Sequence, residues 1–482
     1  MIKIKKGLTT FLCCIVLLGA IQFGAAQAVG TPYITPTQDI PFSFLAGGSA
    51  AESPALVEQT ADSGYITISG SSSSATGNIT GASHGNVDIW VTKYDQYGKI
   101  EWQRLYGGAG FEYGYSIKQT SEGGYIFVGT TTSSGTGDVM TAPADHEGNG
   151  DIWVVKLTAA GAITWQKILG GNATDYGNVI HQTADGGYIV GGRTRSSASG
   201  EVTSTRPINA FDFWVIKLTS TGAVTWQQAY GNPTGGSGED YLYGLDPTSD
   251  GTGYILGGYG LDVNNGNFFA VKINLTGAVV WTRTYGSSGT DTCFSSFATS
   301  DGGAILAGYS TGSANGDVTA TNHGGDDMWV VKLNSAGNIQ WQRLLGGTGN
   351  ERATSVIQTA DGNFVVAGYS TSSANGDVTA TSHGAADVCV FKLSSTGTTL
   401  WHRLFGGTLN DGAVNTTTIN PAPVHIYQTT DGDYVITSTS ISTNTGDVTD
   451  TNNGTGNTNP DQWLFKFNET GDIVWVPDLG QK

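Results

Sequence analysis

Cysteine, proline and basic residues are all scarce in this 482-residue sequence, and each scarcity excludes a class of protein. Four cysteines are too few for a fold of this length held by disulfides, and twelve prolines without a Gly-X-Y period exclude collagen. Only 22 Lys and Arg stand against 40 Asp and Glu, a net charge of −18, so we expect no nucleic-acid partner. Charged residues are only 13% of the chain and glycines number 72, which disfavours long helices. The aromatic content, 12 Trp, 20 Tyr and 17 Phe, nevertheless requires a folded core.

The N-terminus has the three parts of a secretory signal peptide. A basic start containing Lys3, Lys5 and Lys6 precedes an apolar run from 8 to 21, and Ala26-Gln27-Ala28 forms a cleavage site. The run is shorter than the roughly 20 residues of a membrane span. We therefore expect a secreted or cell-surface protein.

The remaining chain is expected to form one domain without a membrane anchor. The predicted division is a signal peptide at 1–28, a linker at 29–39 and a single domain at 40–482. No later stretch is apolar enough for a transmembrane segment, and we expect a monomer.

A sequence repeat of about 60 residues occurs seven times, and this repetition predicts the fold. Its clearest copy is Asp151-Ile152-Trp153-Val154-Val155-Lys156-Leu157 followed by Gly161, Trp165 and Gly170-Gly171. In every copy a Trp stands twelve residues after the first aromatic position, at Trp102, Trp165, Trp226, Trp281, Trp341, Trp401 and Trp475. Such internal repetition indicates a repeat architecture.

Each copy contains four short apolar runs, named strands A to D, as in 179–182, 188–192, 152–157 and 163–169 respectively. Strands A and B, and strands C and D, are joined by glycine turns typical of antiparallel hairpins. Apolar residues on consecutive positions predict sheets buried on both faces. Four antiparallel strands repeated seven times predict an all-β protein, a seven-bladed β-propeller. Residues 40–48 reproduce the spacing of strand D, so an N-terminal strand is expected to complete the last blade. Residues 473–476 could take the same place, and the sequence leaves the choice open.

The phrases Asp-Gly-Gly-Tyr-Ile, Asp-Ile-Trp-Val-Val-Lys-Leu and Trp-Gln-Arg/Lys-x-x-Gly-Gly resemble those of secreted bacterial and archaeal β-propeller-repeat proteins. The resemblance covers nearly the whole predicted mature chain. It implies the fold and an extracellular location. Most members of that group have no assigned activity, so it implies no catalytic residue.

Strand order predicts which face of the ring binds ligands. The tight A–B and C–D turns are expected on one face, and the longer B–C and D–A connections on the other, where all variation in loop length falls. Binding usually evolves on variable loops of a rigid scaffold, so we expect recognition on this long-loop face. Candidate sugar-stacking aromatics are Tyr230, Tyr241 and Tyr243.

A recurrent Asp, His, Asp pattern in the B–C loops is the one candidate metal site. Oxygen-rich loops of this kind could bind Ca²⁺. The alternative is a structural role, in which Asp caps a turn and His links loop and strand; His is a poor Ca²⁺ ligand. The candidate ligands are Asp317, His323, Asp327, Asp377, His383 and Asp387, with a further copy at His84 and a more loosely spaced one at His146. No other cofactor is predicted.

Two further acidic or basic sets recur with the repeat. Seven strand-C lysines must find acceptors that the sequence does not name. Seven acids before strand A could form a cation-attracting collar, although turn capping explains them as well: Glu52, Glu112, Asp175, Asp240, Asp291, Glu351 and Asp411. Cys293 and Cys389 are interpreted as buried thiols. The segment Gly308-Tyr309-Ser310-Thr311-Gly312 matches a nucleophile motif but is interpreted as part of the repeated sequence pattern.

These patterns favour a non-enzymatic binding scaffold for an extracellular glycan, protein or envelope component. The first alternative is a structural component of an extracellular layer or matrix. A hydrolase or lyase is the second, because the sequence shows no unrepeated cluster of acid, base and orienting residues; His425 is its one unrepeated candidate.

Overall fold

A computed structural model describes residues 39–53, 56–144, 146, 150–203, 210–231, 238–261, 266–412, 424–454 and 459–477. The predicted signal peptide lies outside the described residues, as does the predicted linker except for its last residue. The described residues form thirty strands with connecting turns, and no helix among them is long and apolar enough to cross a membrane.

The strands form seven four-stranded antiparallel sheets and one two-stranded sheet. The chain begins with β1 (Asp39–Pro41) and β2 (Ser43–Ala46). The first three blades contain β3 (Leu56–Gln59), β4 (Tyr65–Ser71), β5 (Asp88–Tyr94) and β6 (Ile100–Tyr106); β7 (Glu112–Gln119), β8 (Tyr125–Thr131), β9 (Asp151–Leu157) and β10 (Ile163–Leu169); β11 (Asp175–Gln182), β12 (Tyr188–Thr194), β13 (Asp212–Leu218) and β14 (Val224–Tyr230).

The later blades repeat the order A, B, C, D. Blades 4 to 6 contain β15 (Asp240–Pro247), β16 (Gly253–Leu261), β17 (Gly266–Asn274) and β18 (Val279–Tyr285); β19 (Asp291–Ala298), β20 (Ala304–Ser310), β21 (Asp327–Leu333) and β22 (Ile339–Leu345); β23 (Glu351–Gln358), β24 (Phe364–Ser370), β25 (Asp387–Leu393) and β26 (Thr399–Phe405). The last strands are β27 (His425–Gln428), β28 (Tyr434–Ser440), β29 (Asp461–Phe467) and β30 (Trp475–Pro477).

The strand A of each blade contacts the strand A of the next, and the last, β27, contacts the first, β3. The seven inner strands therefore surround a common axis, and the ring is closed. This confirms the predicted seven-bladed propeller. Both faces of the blades are covered, since strand C of blades 1, 2, 5, 6 and 7 is buried at every position.

Both chain ends take part in closing the ring. β2 is the outer strand of blade 7 and pairs with β29, which confirms the expected N-terminal strand. The C-terminal segment is not displaced: Ile473 bridges Phe467, and β30 pairs with β1 in the two-stranded sheet. The outer edge of blade 7 is thus built from both ends of the chain.

The strand-C lysines have partners that the sequence analysis left unnamed. Six pair with the acid of the A–B turn in their own blade, as Lys217 does with Asp185 at 2.9 Å and Lys332 with Asp301 at 2.8 Å. Lys217 also donates to the Leu218 carbonyl at 3.1 Å. Mutual pairing lowers the pKa of the turn carboxyls, to about 2 for Glu122 beside Lys156 despite some burial. These ion pairs join the A–B hairpin to strand C.

The tryptophans are structural in two different ways. Those of strand C are buried, and Trp153 donates its indole N–H to Gln166 at 2.9 Å. Those of strand D in blades 1 to 5 cover the C–D turn glycine of the next blade, as Trp165 covers Gly222; Trp281 among them is buried and the others are partly exposed. Each of these outer strands therefore contacts its neighbouring blade.

Candidate functional site

The candidate site is the opening of the ring axis on the long-loop face, where strands A begin and strands B end. Five strands A, in blades 2 to 6, contain a bulge near this end. A bulge inserts an unpaired residue and redirects side chains, and bulges are common beside functional sites. The inserted residues are Tyr115, Asn178, Tyr243, Phe294 and Thr354.

Arg193 lies at the centre of an aromatic cluster in this opening. Its guanidinium carbon is 4.2 Å from the ring centroid of Tyr176, 4.7 Å from that of Tyr241 and 5.2 Å from that of Phe211. Cross-strand pairing explains the first contact, because Arg193 in β12 is opposite Tyr176 in β11. Ring faces attract cations, so three aromatic side chains fix this guanidinium.

The aromatic contacts continue through blades 4 and 5. Tyr241 stacks on Tyr259 at 4.9 Å between centroids, and Tyr243 lies 6.0 Å from Tyr259. The bulge residues Tyr243 and Phe294 of neighbouring blades meet edge to face at 5.6 Å. Burial raises the pKa of Tyr243, and the Arg193 cation opposes the shift. The cluster is thus a continuous surface across three blades.

Two solvent-exposed rings extend the cluster into blade 2. Phe111 and Tyr113 stack with their centroids 6.5 Å apart and their planes 9° from parallel, and they are 43% and 36% exposed. Single exposed apolar side chains are ordinary, but adjacent exposed rings form a contiguous apolar patch of the kind found at interaction sites. At the far end, in blades 5 and 6, Arg352 lies 4.3 Å above the Tyr309 ring.

We call this set the aromatic arc: Phe111, Tyr113, Tyr176, Arg193, Phe211, Tyr241, Tyr243, Tyr259, Phe294, Tyr309 and Arg352. Among the described residues it runs through blades 2 to 6 and does not extend into blades 1 and 7. The positions equivalent to Tyr113 in blades 1 and 7 are Ser53 and Gly412, and those equivalent to Arg193 are Gly70 and Thr439. The repeat alone does not explain this asymmetry.

The structure places two of the three aromatic residues predicted from the sequence in the aromatic arc and one outside it. Tyr241 and Tyr243 belong to the aromatic arc, although they lie in strand β15 rather than in a loop. Tyr230 does not belong to it: it is 6% exposed at the end of β14 and donates its hydroxyl to the Gly277 carbonyl at 2.7 Å. Its role is to join blades 3 and 4.

Sequence reasoning missed Arg193, Phe211 and the stack around them. A signal was present, because one position of strand A reads Tyr in three successive copies, at Tyr113, Tyr176 and Tyr241. Positions that recur in every copy define the repeat and its fold. The candidate site at the axis is instead built from positions that differ between copies.

Five of the six predicted metal-ligating residues form His–Asp contacts at blade junctions. His323 pairs with Asp327 at 2.9 Å and approaches Asp377 of the next blade at 3.8 Å. His383 pairs in the same way with Asp387 and with Asp447, at 3.5 Å and 3.9 Å. Such His links between loop and strand fit the structural alternative.

The sixth residue, Asp317, lies apart from these histidines and accepts the Gly286 N–H at 3.1 Å. Within the described residues, no group of three or more His, Cys, Asp or Glu is arranged to hold a metal ion. Calcium binding stays a prediction.

The seven acids at the start of strand A are buried, and hydrogen bonds within the described residues show six of them capping the preceding turn: Glu52, Glu112, Asp175, Asp291, Glu351 and Asp411. Glu112 accepts the Gly108 N–H at 2.8 Å and the Thr131 hydroxyl at 2.8 Å, and Glu351 accepts the Gly347 N–H at 2.7 Å. They are at most 2% exposed. An acidic collar facing the axis is therefore not what they form.

A second set of unrepeated side chains lies at the other end of the inner strands, near the A–B turns. One strand-A position carries a different residue in each blade: Glu58, Lys118, His181, Asp246, Phe297, Ile357 and Tyr427. Lys118 pairs with Glu58 at 3.3 Å and lies within electrostatic range of His181, Asp246 and His425. Burial raises the pKa of Asp246 to about 7 and lowers those of His181 and His425 to about 3. We call these five titratable residues the axial cluster.

The axial cluster corrects the sequence analysis, which found no unrepeated group of acid and base residues. The two cysteines are buried free thiols, as predicted, and burial raises the pKa of Cys293 to about 12. Ser310 is fully buried at the end of β20, so the Gly-x-Ser-x-Gly match is not an exposed nucleophile.

Comparisons with known proteins assign neither a family nor a function to the chain. No protein-family model matches the chain, and no curated protein matches it. Among solved structures, Kuenenia stuttgartiensis hydrazine synthase is similar with a TM-score of 0.47 and 11% identity, over 81% of this chain and 94% of that one. A NanB sialidase variant from Streptococcus pneumoniae has a TM-score of 0.44 and 9% identity, over 90% and 71%.

Chaetomium thermophilum Sqt1, solved with the N-terminus of ribosomal protein L10, has a TM-score of 0.41 and 10% identity, over 82% of this chain and 87% of that one. These neighbours include enzymes and a binding protein. At such identities none of their activities extends to this chain.

Proposed function

We propose that this protein is a secreted or cell-surface binding scaffold that captures an extracellular glycan, protein or envelope component on its long-loop face. We further propose that it belongs with the secreted β-propeller-repeat proteins that its repeats resemble, and that it acts as a monomer without catalysis. The observation that carries the proposal is the aromatic arc.

Three properties of the arc support a binding role. Its residues stand at positions where the repeat does not require aromatics, it runs through blades 2 to 6 but, among the described residues, not into blades 1 and 7, and it includes the exposed stack of Phe111 and Tyr113. Rigid aromatics with polar tips supply large contact area at a small cost in conformational entropy. The ring holds most of them in place, because each strand A pairs with strand B of its own blade and contacts the strand A of the next blade.

A glycan and protein array tests the proposal. The double variant Phe111→Ser, Tyr113→Ser is expected to lose specific binding while the thermal unfolding temperature stays unchanged. The matched control is Leu275→Ser, Val280→Ser, which removes two residues that are 52% and 58% exposed outside the arc. Equal binding by both variants would exclude the arc as the site.

The alternative function, a structural component of an extracellular layer or matrix, predicts a different result for the same purified protein. A layer or matrix component would bind nothing on the array and would self-assemble into ordered sheets or fibres visible by electron microscopy.

An enzyme is the second candidate function, and the axial cluster is the observation that favours it. The Nδ1 atom of His425 and the Oε2 atom of Glu58 have no hydrogen-bond partner among the described residues. Perturbed titratable groups in one place are typical of catalytic sites. Polysaccharide turnover that is lost in His425→Ala and retained in the outer-strand control His402→Ala would establish it.

Secretion is tested separately from binding. Expression with the native N-terminus should release the protein from the cell, and N-terminal sequencing should begin at Val29 if residues 1–28 are a signal peptide.

A further inference from the structure

The three arginines near the arc differ in how their charge is neutralised. Arg195 contacts the Glu239 carboxylate, and Arg352 pairs with Asp326 at 2.5 Å. Arg193 has no carboxylate within ion-pair distance among the described residues, and its Nε and Nη1 atoms are buried without a hydrogen-bond partner there. The guanidinium faces three aromatic rings and the Tyr243 hydroxyl, and no carboxylate among the described residues compensates its charge.

An uncompensated guanidinium surrounded by aromatic rings attracts an anion. Charge interactions strengthen where the surroundings are poorly solvated, and hydrogen bonds to a charged partner are stronger than neutral ones. The Arg193 side chain is partly accessible, so a ligand that enters the opening meets this charge.

Two features restrict the kind of anion. One unpaired cation matches one negative charge, and the net charge of −18 repels densely charged polymers such as nucleic acids. The neighbouring aromatic faces of Tyr113 and Tyr176 suit a ring with an apolar face. A sugar that carries a carboxylate combines both requirements.

We propose that the aromatic arc recognises a glycan with an isolated or terminal carboxylate-bearing sugar, and that Arg193 receives its carboxylate. This inference rests on the proposed binding function of the arc and names its ligand class. Arg193 supplies the charge selectivity, and the aromatic rings supply ring contacts that do not depend on the acid group.

A matched pair of probes tests the inference: a trisaccharide ending in glucuronate and the same trisaccharide ending in glucose. Calorimetric titration of the full mature chain is expected to show roughly ten- to hundredfold tighter binding of the acidic probe, the range of a charge-assisted hydrogen bond. The preference should shrink as salt is raised from 50 mM to about 500 mM, because screening weakens charge interactions.

Variants of Arg193 test the contribution of its charge to affinity separately from the contribution of the aromatic rings. Arg193→Gln should bring the acidic probe to the affinity of the neutral one, Arg193→Lys should keep a reduced preference, and the exposed control Arg283→Gln should change nothing. If Arg193→Gln fails to fold, the Lys variant and the salt dependence of the wild-type chain carry the test.

The outcomes distinguish a failure of the acidic-sugar inference from a failure of the proposed binding function of the aromatic arc. Equal affinity for both probes, or no binding of the acidic probe up to millimolar concentration, overturns the acidic-sugar class. The binding function survives that result if another array ligand still depends on Phe111 and Tyr113. Loss of every dependence on those two residues overturns the binding function itself.

Discussion

At the scale of single residues, buried carboxyl pairs are the least expected feature of the ring. Asp461 and Glu52 meet inside the closure between blades 7 and 1, both at most 1% exposed, and they share a hydrogen bond. Burial and the neighbouring acid raise the pKa of Asp461 to about 7. The equivalent position in blade 4 is Asn267, beside Asp291. One blade therefore already has an amide where the others have an acid.

We predict that Asp461→Asn stabilises the protein at pH 7.5. The amide removes a buried charge and can donate a hydrogen bond to Glu52, as Asn267 can to Asp291. One pKa unit corresponds to about 1.4 kcal/mol, so a gain of at least about 1 kcal/mol is expected in denaturant unfolding. At pH 4.5 Asp461 is already protonated and the gain should vanish. A loss of stability at both pH values would contradict this account.

At the scale of elements, contacts between neighbouring blades repeat around the ring. Two turn glycines of blade 3 allow the cost of backbone strain to be measured separately from the cost of disturbing such a contact. Gly186 in the A–B turn and Gly222 in the C–D turn have similar positive φ angles, +77° and +82°. A methyl group on Gly186 would meet nothing within 4 Å, whereas on Gly222 it would lie 3.0 Å from the Trp165 ring of blade 2.

We predict that Gly222→Ala destabilises the protein more than Gly186→Ala. Positive φ costs alanine about 1–2 kcal/mol at either site. Crowding against Trp165 adds about 1–3 kcal/mol at Gly222 alone. Equilibrium unfolding of the two variants measures the difference, and equal losses would show that the Trp165 contact adds nothing.

At the scale of the whole molecule, the two chain ends decide whether the ring is closed. β2 covers the edge of β29, and it brings Phe42 and Leu45, 1% and 5% exposed, into the core at the junction. An unpaired strand edge is a template for association.

We predict that removing residues 29–46 lowers the unfolding temperature and promotes self-association. Burial of a large apolar side chain contributes about 1.5–3 kcal/mol, and two such side chains are lost together with a strand pairing. The control removes residues 29–38 and keeps both closing strands. Calorimetry and light scattering should distinguish the two truncations, and identical behaviour would show that β2 does not hold the ring closed.

The two classes of carboxyl predict how stability depends on pH. Buried acids have raised pKa values, about 6 for Asp175 and Asp387 and about 7 for Asp246 and Asp461. Their contribution is complete below the unfolded value near 4 and is lost as pH rises to 6–7. The turn acids have lowered pKa values, about 2 for Glu122, and their contribution is lost as pH falls from about 4.5 to 2.

We therefore predict maximal stability between about pH 4 and 5. His181 and His425, with pKa values near 3, oppose this at acidic pH, but the raised carboxyls outnumber them. Denaturant midpoints measured from pH 3 to 8 check the position of the maximum. A maximum above pH 7 would contradict the burial of these acids.

Much of the fold is determined by the sequence alone, because each blade is a local hairpin pair whose signals lie within about 60 residues. Strand D of blade 2 is predicted at 163–169 and is Ile163–Leu169 in the structure. Strand A is predicted only from Val179 in blade 3 and begins at Asp175, because its first half contains a bulge and a buried acid that break the apolar pattern.

Only the tertiary structure decides what lies on the axis and at the closure. Tyr176, Arg193, Phe211 and Tyr241 are far apart in the chain, yet ring geometry brings their strands together at one opening. Strand pairing within each blade gives the strand-C lysines their turn acids, and closure of the ring joins β1 to β30. The sequence determines the repeated units because neighbouring residues carry their signals. The candidate site depends on the differences between units, and these become one surface only when the ring closes.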